Sequence, residues 1–227
     1  MKIVVTIAAP VATVWDALRD RDKIRHWHGW EYEGGLDEEI EQIYFTRAVE
    51  EGTTLRLGNG DEFAVEAVEG GSRVTLTRAP LGADPDWDAY YDDVTEGWTT
   101  FLHQLRFAVE RHPGDPRHTL FFSGTGPVSP ITELGLDHRP AGATVELDLV
   151  GQRVKGEIWY TSEHQLGLTV DAWGNGLLVL SHIPPGSQKP DGATMAVLSL
   201  YADTDRAEVE SRWRAWWDEH YPASDRS

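Results

Sequence analysis

The chain has 227 residues, 40% of them hydrophobic, with ten tryptophans, no cysteine and a formal net charge of −18, enough apolar material for one generous core or two modest ones. The acidity is spread along the chain, 22 acidic against 11 basic residues up to residue 113 and 16 against 9 beyond it, so neither nucleic acid nor an anionic membrane surface is an expected partner, since both need a basic face. Without cysteine there is no disulfide framework, thiolate nucleophile or zinc ribbon, and without a signal peptide or long apolar run the expected location is the cytoplasm of a bacterial-type cell.

Residues 2–8 are β-branched and open the chain as a strand. Pro10 suits a helix start, and Val11, Val14, Trp15 and Leu18 make the apolar stripe of a helix of about three turns. A shorter helical piece carries Ile24 and Trp27 and ends in His26-Trp27-His28-Gly29-Trp30. Residues 37–50 fit a helix through Ile40, Ile43, Tyr44 and Ala48, or a strand through Ile43 and Phe45, with helix the favoured expectation.

From Thr53 the period becomes two. Leu55 and Leu57, then Phe63, Val65 and Ala67, then Val74 and Leu76 form an antiparallel meander with turns at Gly58-Asn59-Gly60 and Gly70-Gly71. A polar, aromatic stretch over 79–92 leads into Asp93–His112, an amphipathic helix with Trp98, Phe101, Leu102, Leu105 and Val109 in one stripe. Asp93 with Glu96 reads as its capping box, and Pro113-Gly114 as its stop. His103 falls off the stripe and is expected to face solvent or a second domain; Phe107, on the same off side, is expected to pack against that domain.

Residues 114–117 are the candidate linker between domains 1–113 and 118–227. Strands are expected over 118–123, 143–149, 155–161, 165–171, 177–183 and 193–202, with a turn at Gly174-Asn175-Gly176. A last helix, 205–220, starts with an Asp205/Glu208 capping box and sets Val209, Trp213, Trp216 and His220 on one face. The shared plan of strand, acidic connection and capped Trp-bearing helix is that of an internal duplication, or of a common order of elements with no such meaning.

Residues 6–30, TIAAPVATVWDALRDRDKIRHWHGW, and 96–110, EGWTTFLHQLRFAVE, resemble the START/SRPBCC helix-grip superfamily, in particular the branch of the activator of the 90-kDa heat-shock-protein ATPase. The resemblance covers roughly half of the chain and departs from the family at 37–50, where the family has a strand hairpin. It implies an α+β fold, a curved antiparallel sheet around a long C-terminal helix, with the second half a degenerate copy. It also implies a hydrophobic small molecule or lipid as partner, or alternatively a contact that stimulates a 90-kDa heat-shock-protein ATPase, with cyclase- or hydrolase-like chemistry in the cavity as a second alternative.

Chemistry is sparse in the residues. His26 and His28 have a spacing seen in metal sites but no third ligand, so neither a metal nor a cofactor is expected. Glu163-His164 and His182 could pair for general-base work, yet no nucleophile elbow or phosphate loop accompanies them, and no catalytic residue is assigned. Asp37-Glu38-Glu39 and Asp92-Asp93 read as helix-start charges on solvated faces. The candidate ligand-binding residues are the aromatic interior: Trp27, Trp30, Tyr44, Phe63, Trp98, Phe101 and Leu105. Whether that interior holds a pocket or a filled core is left open.

Overall fold

The computed structural model describes residues 1–32, 35–80, 82, 91–185 and 191–222. The chain divides into two compact units, Met1–Asp115 and Pro116–Ser227. The fold is α+β, each unit an antiparallel sheet followed by a helix that packs on one of its faces.

In the first unit β1 (Lys2–Ile7) is followed by α1 (Val11–Arg19), α2 (Arg21–Arg25) and α3 (Leu36–Tyr44). The meander β2 (Val49–Glu51), β3 (Thr54–Arg56), β4 (Glu62–Val68) and β5 (Gly71–Thr77) follows, and α4 (Tyr91–Arg111) closes the unit. The sheet order is β1-β5-β4-β3-β2, so the first strand lies beside the last. Period two decides what the sheet buries: Phe63 and Val65 on β4, and Val74 and Leu76 on β5, lie inside with Trp98, Leu102 and Leu105 of α4.

The ambiguous stretch divides, helical as far as Tyr44 and a strand from Val49, because Leu36, Ile40 and Tyr44 bury at i, i+4, i+8 whereas β2 is exposed throughout. The long helix begins at Tyr91, ahead of the expected Asp93, so Asp92 and Asp93 are first-turn acids and Asp93 is not the N-cap. The aromatic lead-in containing Trp87 and Tyr90 lies outside the described residues. His103 is half-buried, and burial, with Arg106 adding to it, lowers its pKa to about 3. Phe107 is buried, its ring 5.3 Å from that of His112.

The second unit runs β6 (His118–Gly124), α5 (Pro130–Glu133), β7 (Thr144–Leu149), β8 (Gln152–Thr161), β9 (Gln165–Val170), β10 (Gly176–Ile183), β11 (Ala193–Leu200) and α6 (Arg206–His220). Its sheet order, β6-β11-β10-β9-β8-β7, again sets the first strand beside the last and then runs back through the meander. Asp205 caps α6 by accepting from Glu208 N at 3.0 Å. The buried stripe of α6 is Val209, Trp213 and Trp217, a correction to the expected Trp216. Around the helix Trp217 stands about 40° from Trp213 and Trp216 about 60° on the other side. Trp216 is therefore half-exposed and stacks on His220 at 4.7 Å.

Candidate functional site

The aromatic interior of the first unit is arranged around His28. The chain does not extend as a strand there: Trp27 N and His28 N both donate to Ile24 O, at 3.1 and 2.8 Å, so α2 runs on for a further helical turn. Ile24, Trp27 and His28 thus fall at i, i+3, i+4 and point inward, while His26 is half-exposed. The two imidazoles therefore do not share a direction, and among the described residues no group of three metal-ligating side chains converges.

His28 is 0% exposed. Its ring lies 4.5 Å from Phe101, 5.2 Å from Tyr44, 5.8 Å from Trp27 and 6.0 Å from Trp98. Phe63 completes the cluster at 5.3 Å from Trp98, and Trp30 stands 6.1 Å from Phe101. All six of these ring pairs meet edge-on or tilted, a favoured geometry for aromatic pairs. All seven expected ligand-binding residues belong to this region: Trp27, Tyr44, Phe63, Trp98 and Leu105 are buried, whereas Trp30 and Phe101 are half-exposed and form its outer wall.

A polar chain runs from this cluster to the surface. Tyr44 Oη is 2.9 Å from His28 Nδ1, His28 Nε2 is 3.2 Å from Glu39 Oε1, and the Tyr32 hydroxyl donates to Glu39 Oε2 at 3.0 Å. Tyr32 is 48% exposed. Burial alone would raise the Glu39 carboxyl, but the bond and charge of His28 and the bond from Tyr32 outweigh it and hold the group below its usual value. Burial, with Glu39 adding to it, pushes the Tyr44 phenol well above its usual range, so it stays protonated beside His28 Nδ1. Glu39 is thus no solvated helix-start charge; only Asp37 and Glu38 of that run are exposed.

A second anchor lies under Trp98. Asp61 accepts from Trp98 Nε1 at 3.0 Å, Arg78 Nε at 3.1 Å, Ala79 N at 2.7 Å and Asn59 Nδ2 at 3.1 Å, and Arg78 also donates to Thr95 Oγ1 at 2.6 Å. This buried ion pair ties the first turns of α4 to the ends of β4 and β5 and fixes the Trp98 indole. Both residues escaped the sequence reading, although a signal existed. Asp61 continues the inward period of Phe63 and Val65, Arg78 that of Val74 and Leu76, and the register Phe63↔Leu76, carried two residues on, sets the two charges opposite each other.

The remaining histidine candidates belong to the second unit, where His182 N donates to His164 O at 2.9 Å. His164 and Glu163 approach only to 3.9 Å, and the Glu163 side chain is largely in solvent. His182 Nδ1 lies 3.0 Å from Thr194 Oγ1, and burial, then His164, lowers its pKa.

No protein-family model and no curated protein matches the chain. Among solved structures it is similar to DynU16, from the dynemicin biosynthetic locus, at 16% identity over 96% of this chain and 94% of that one, with a TM-score of 0.34. It is similar to the di-domain ARO/CYC StfQ of the steffimycin biosynthetic pathway at 10% identity over 94% and 92%, TM-score 0.36. An AHSA1-like protein from Aeromonas hydrophila is similar at 10% identity over 96% and 88%, TM-score 0.25.

Proposed function

We propose that the first unit binds a hydrophobic small molecule or lipid at the His28-centred aromatic cluster. One observation carries this reading: a fully buried imidazole, with both ring nitrogens engaged, sits among aromatic rings whose outer wall is half-exposed. Small-molecule sites combine apolar and aromatic walls with a few fixed polar groups, and this region supplies both. Its rings touch one another, so a ligand enters between Trp30 and Phe101, whose rings turn aside and then wall it. Gly29, at φ +57°, turns the chain between buried His28 and Trp30, a conformation glycine adopts without steric cost. The common strand order of the two sheets supports reading the second unit as a degenerate copy of the first.

The test is a titration of the full chain with fatty acids, fused-ring polyketides and smaller aromatic metabolites, followed by intrinsic tryptophan fluorescence and thermal shift. Saturable quenching with a rise in Tm, both lost on Trp30→Ala with Phe101→Ala, is the expected result. No response across the panel would remove the reading.

A further inference from the structure

The C-terminal end of α6 carries two buried donors that find no acceptor among the described residues. Trp217 and Tyr221 are 2% and 1% exposed, and neither the indole Nε1–H nor the phenol O–H has a hydrogen-bond partner among the described residues. The two stand four residues apart with ring centroids 4.8 Å from each other. A buried donor without an acceptor has given up its hydration for no return, and native interiors rarely leave two such groups side by side.

Their surroundings are aromatic and closely fitted. Trp216 lies 5.6 Å from the Tyr221 ring and Phe122 5.8 Å from Trp217. Tyr221 rests where β6 and the loop after it carry no side chain: a Cβ on Gly126 would stand 2.6 Å from Tyr221 Cδ1, and one on Gly124 2.1 Å from the Tyr221 carbonyl oxygen. Thr125 N donates to Pro222 O at 3.2 Å, which pins the chain just beyond the ring. The phenol is therefore held in place by its own backbone and by the absence of side chains opposite it.

We propose that this end of the second unit is a binding site for one neutral oxygen acceptor, shared by the Trp217 indole N–H and the Tyr221 hydroxyl within an aromatic nest. A neutral acceptor is the class proposed, because the Glu133 carboxylate, which helps to keep the Tyr221 phenol protonated, disfavours a second negative charge beside it. Burial, then Glu133, keeps the Tyr221 phenol above its usual range, so the hydroxyl remains a donor. An internal water and the carbonyl or hydroxyl of a small organic molecule present the same acceptor chemistry. The site belongs to the second unit and stands or falls apart from the His28 cluster.

The experiment uses the full chain, labelled with nitrogen-15, and the isosteric variant Tyr221→Phe. An occupied site gives a Trp217 indole proton that resonates downfield and exchanges slowly in the wild type. In the variant that proton shifts upfield, and Tm falls. A cross-relaxation peak between the indole proton and water in dialysed protein identifies water as the source. A saturable shift of the same resonance on adding acetophenone, a neutral aryl ketone, identifies an organic carbonyl. An indole proton that responds to neither, with a Tyr221→Phe chain as stable as the wild type or more so, would overturn the proposal, because removing a truly idle hydroxyl costs nothing.

Discussion

Asp61 carries more of the first unit than its position in a turn suggests. Replacing it by alanine leaves Arg78 charged and buried, with the Trp98 indole and the Ala79 amide also deprived of their acceptor. Breaking a buried pair from one side costs about 3–5 kcal/mol, whereas replacing both members by apolar groups is often close to neutral. Asp61→Ala is therefore expected to lose about that much in denaturant unfolding, and the double variant Asp61→Ala with Arg78→Met to recover only part of it, because the Trp98 indole and the Ala79 amide still lack their acceptor. His103 makes a different prediction. The unfolded chain takes up a proton near the ordinary pKa of 6.5 that the folded chain refuses until about 3. Stability is thus full above about pH 6.5 and declines as the pH falls from there toward about 3. The lowered His182 acts in the same direction. Tm measured from about pH 7.5 down to about pH 5 should fall in the wild type and fall less in His103→Gln; equal slopes would refute the assignment.

At the scale of elements, the parts legible in the sequence are those that local chemistry decides. The strands of both meanders follow from period two and their turn residues, and α6 begins where Asp205 can accept from Glu208 N. Asp205→Ala is expected to cost about 1 kcal/mol, read as a drop in Tm, with Asp205→Asn close to wild type. The misreadings have physical causes. His26 and His28 look like a strand pair only if the chain is extended, and the helical bonds back to Ile24 turn one of them out and the other in. Glu39 sits in a run of acids that a helix dipole explains. Its true partners, His28 and Tyr32, precede α3, on the far side of the turn that leads into it. The choice of Trp217 over Trp216 depends on where the sheet lies beneath α6, which helical periodicity alone leaves open by one step. The site residues were legible as aromatic and apolar positions; their common centre, a histidine, was not.

At the scale of the molecule, two sheets that each set their first strand beside their last bury their own apolar clusters, and the proposed ligand site lies in the first. A net charge of −18 disfavours nucleic acid and anionic surfaces, and among the described residues no helix is long and apolar enough to cross a membrane. What distinguishes the first unit from an ordinary core is the path Tyr44–His28–Glu39–Tyr32, which connects the aromatic interior to an exposed hydroxyl beside a half-exposed wall of Trp30 and Phe101. Native mass spectrometry of the full chain after incubation with the lipid and aromatic panel tests the function most directly. A one-to-one adduct that disappears when Trp30 and Phe101 are both replaced by alanine is the predicted result. No adduct at saturating ligand, or an adduct that survives the double replacement unchanged, would contradict binding at the His28 cluster.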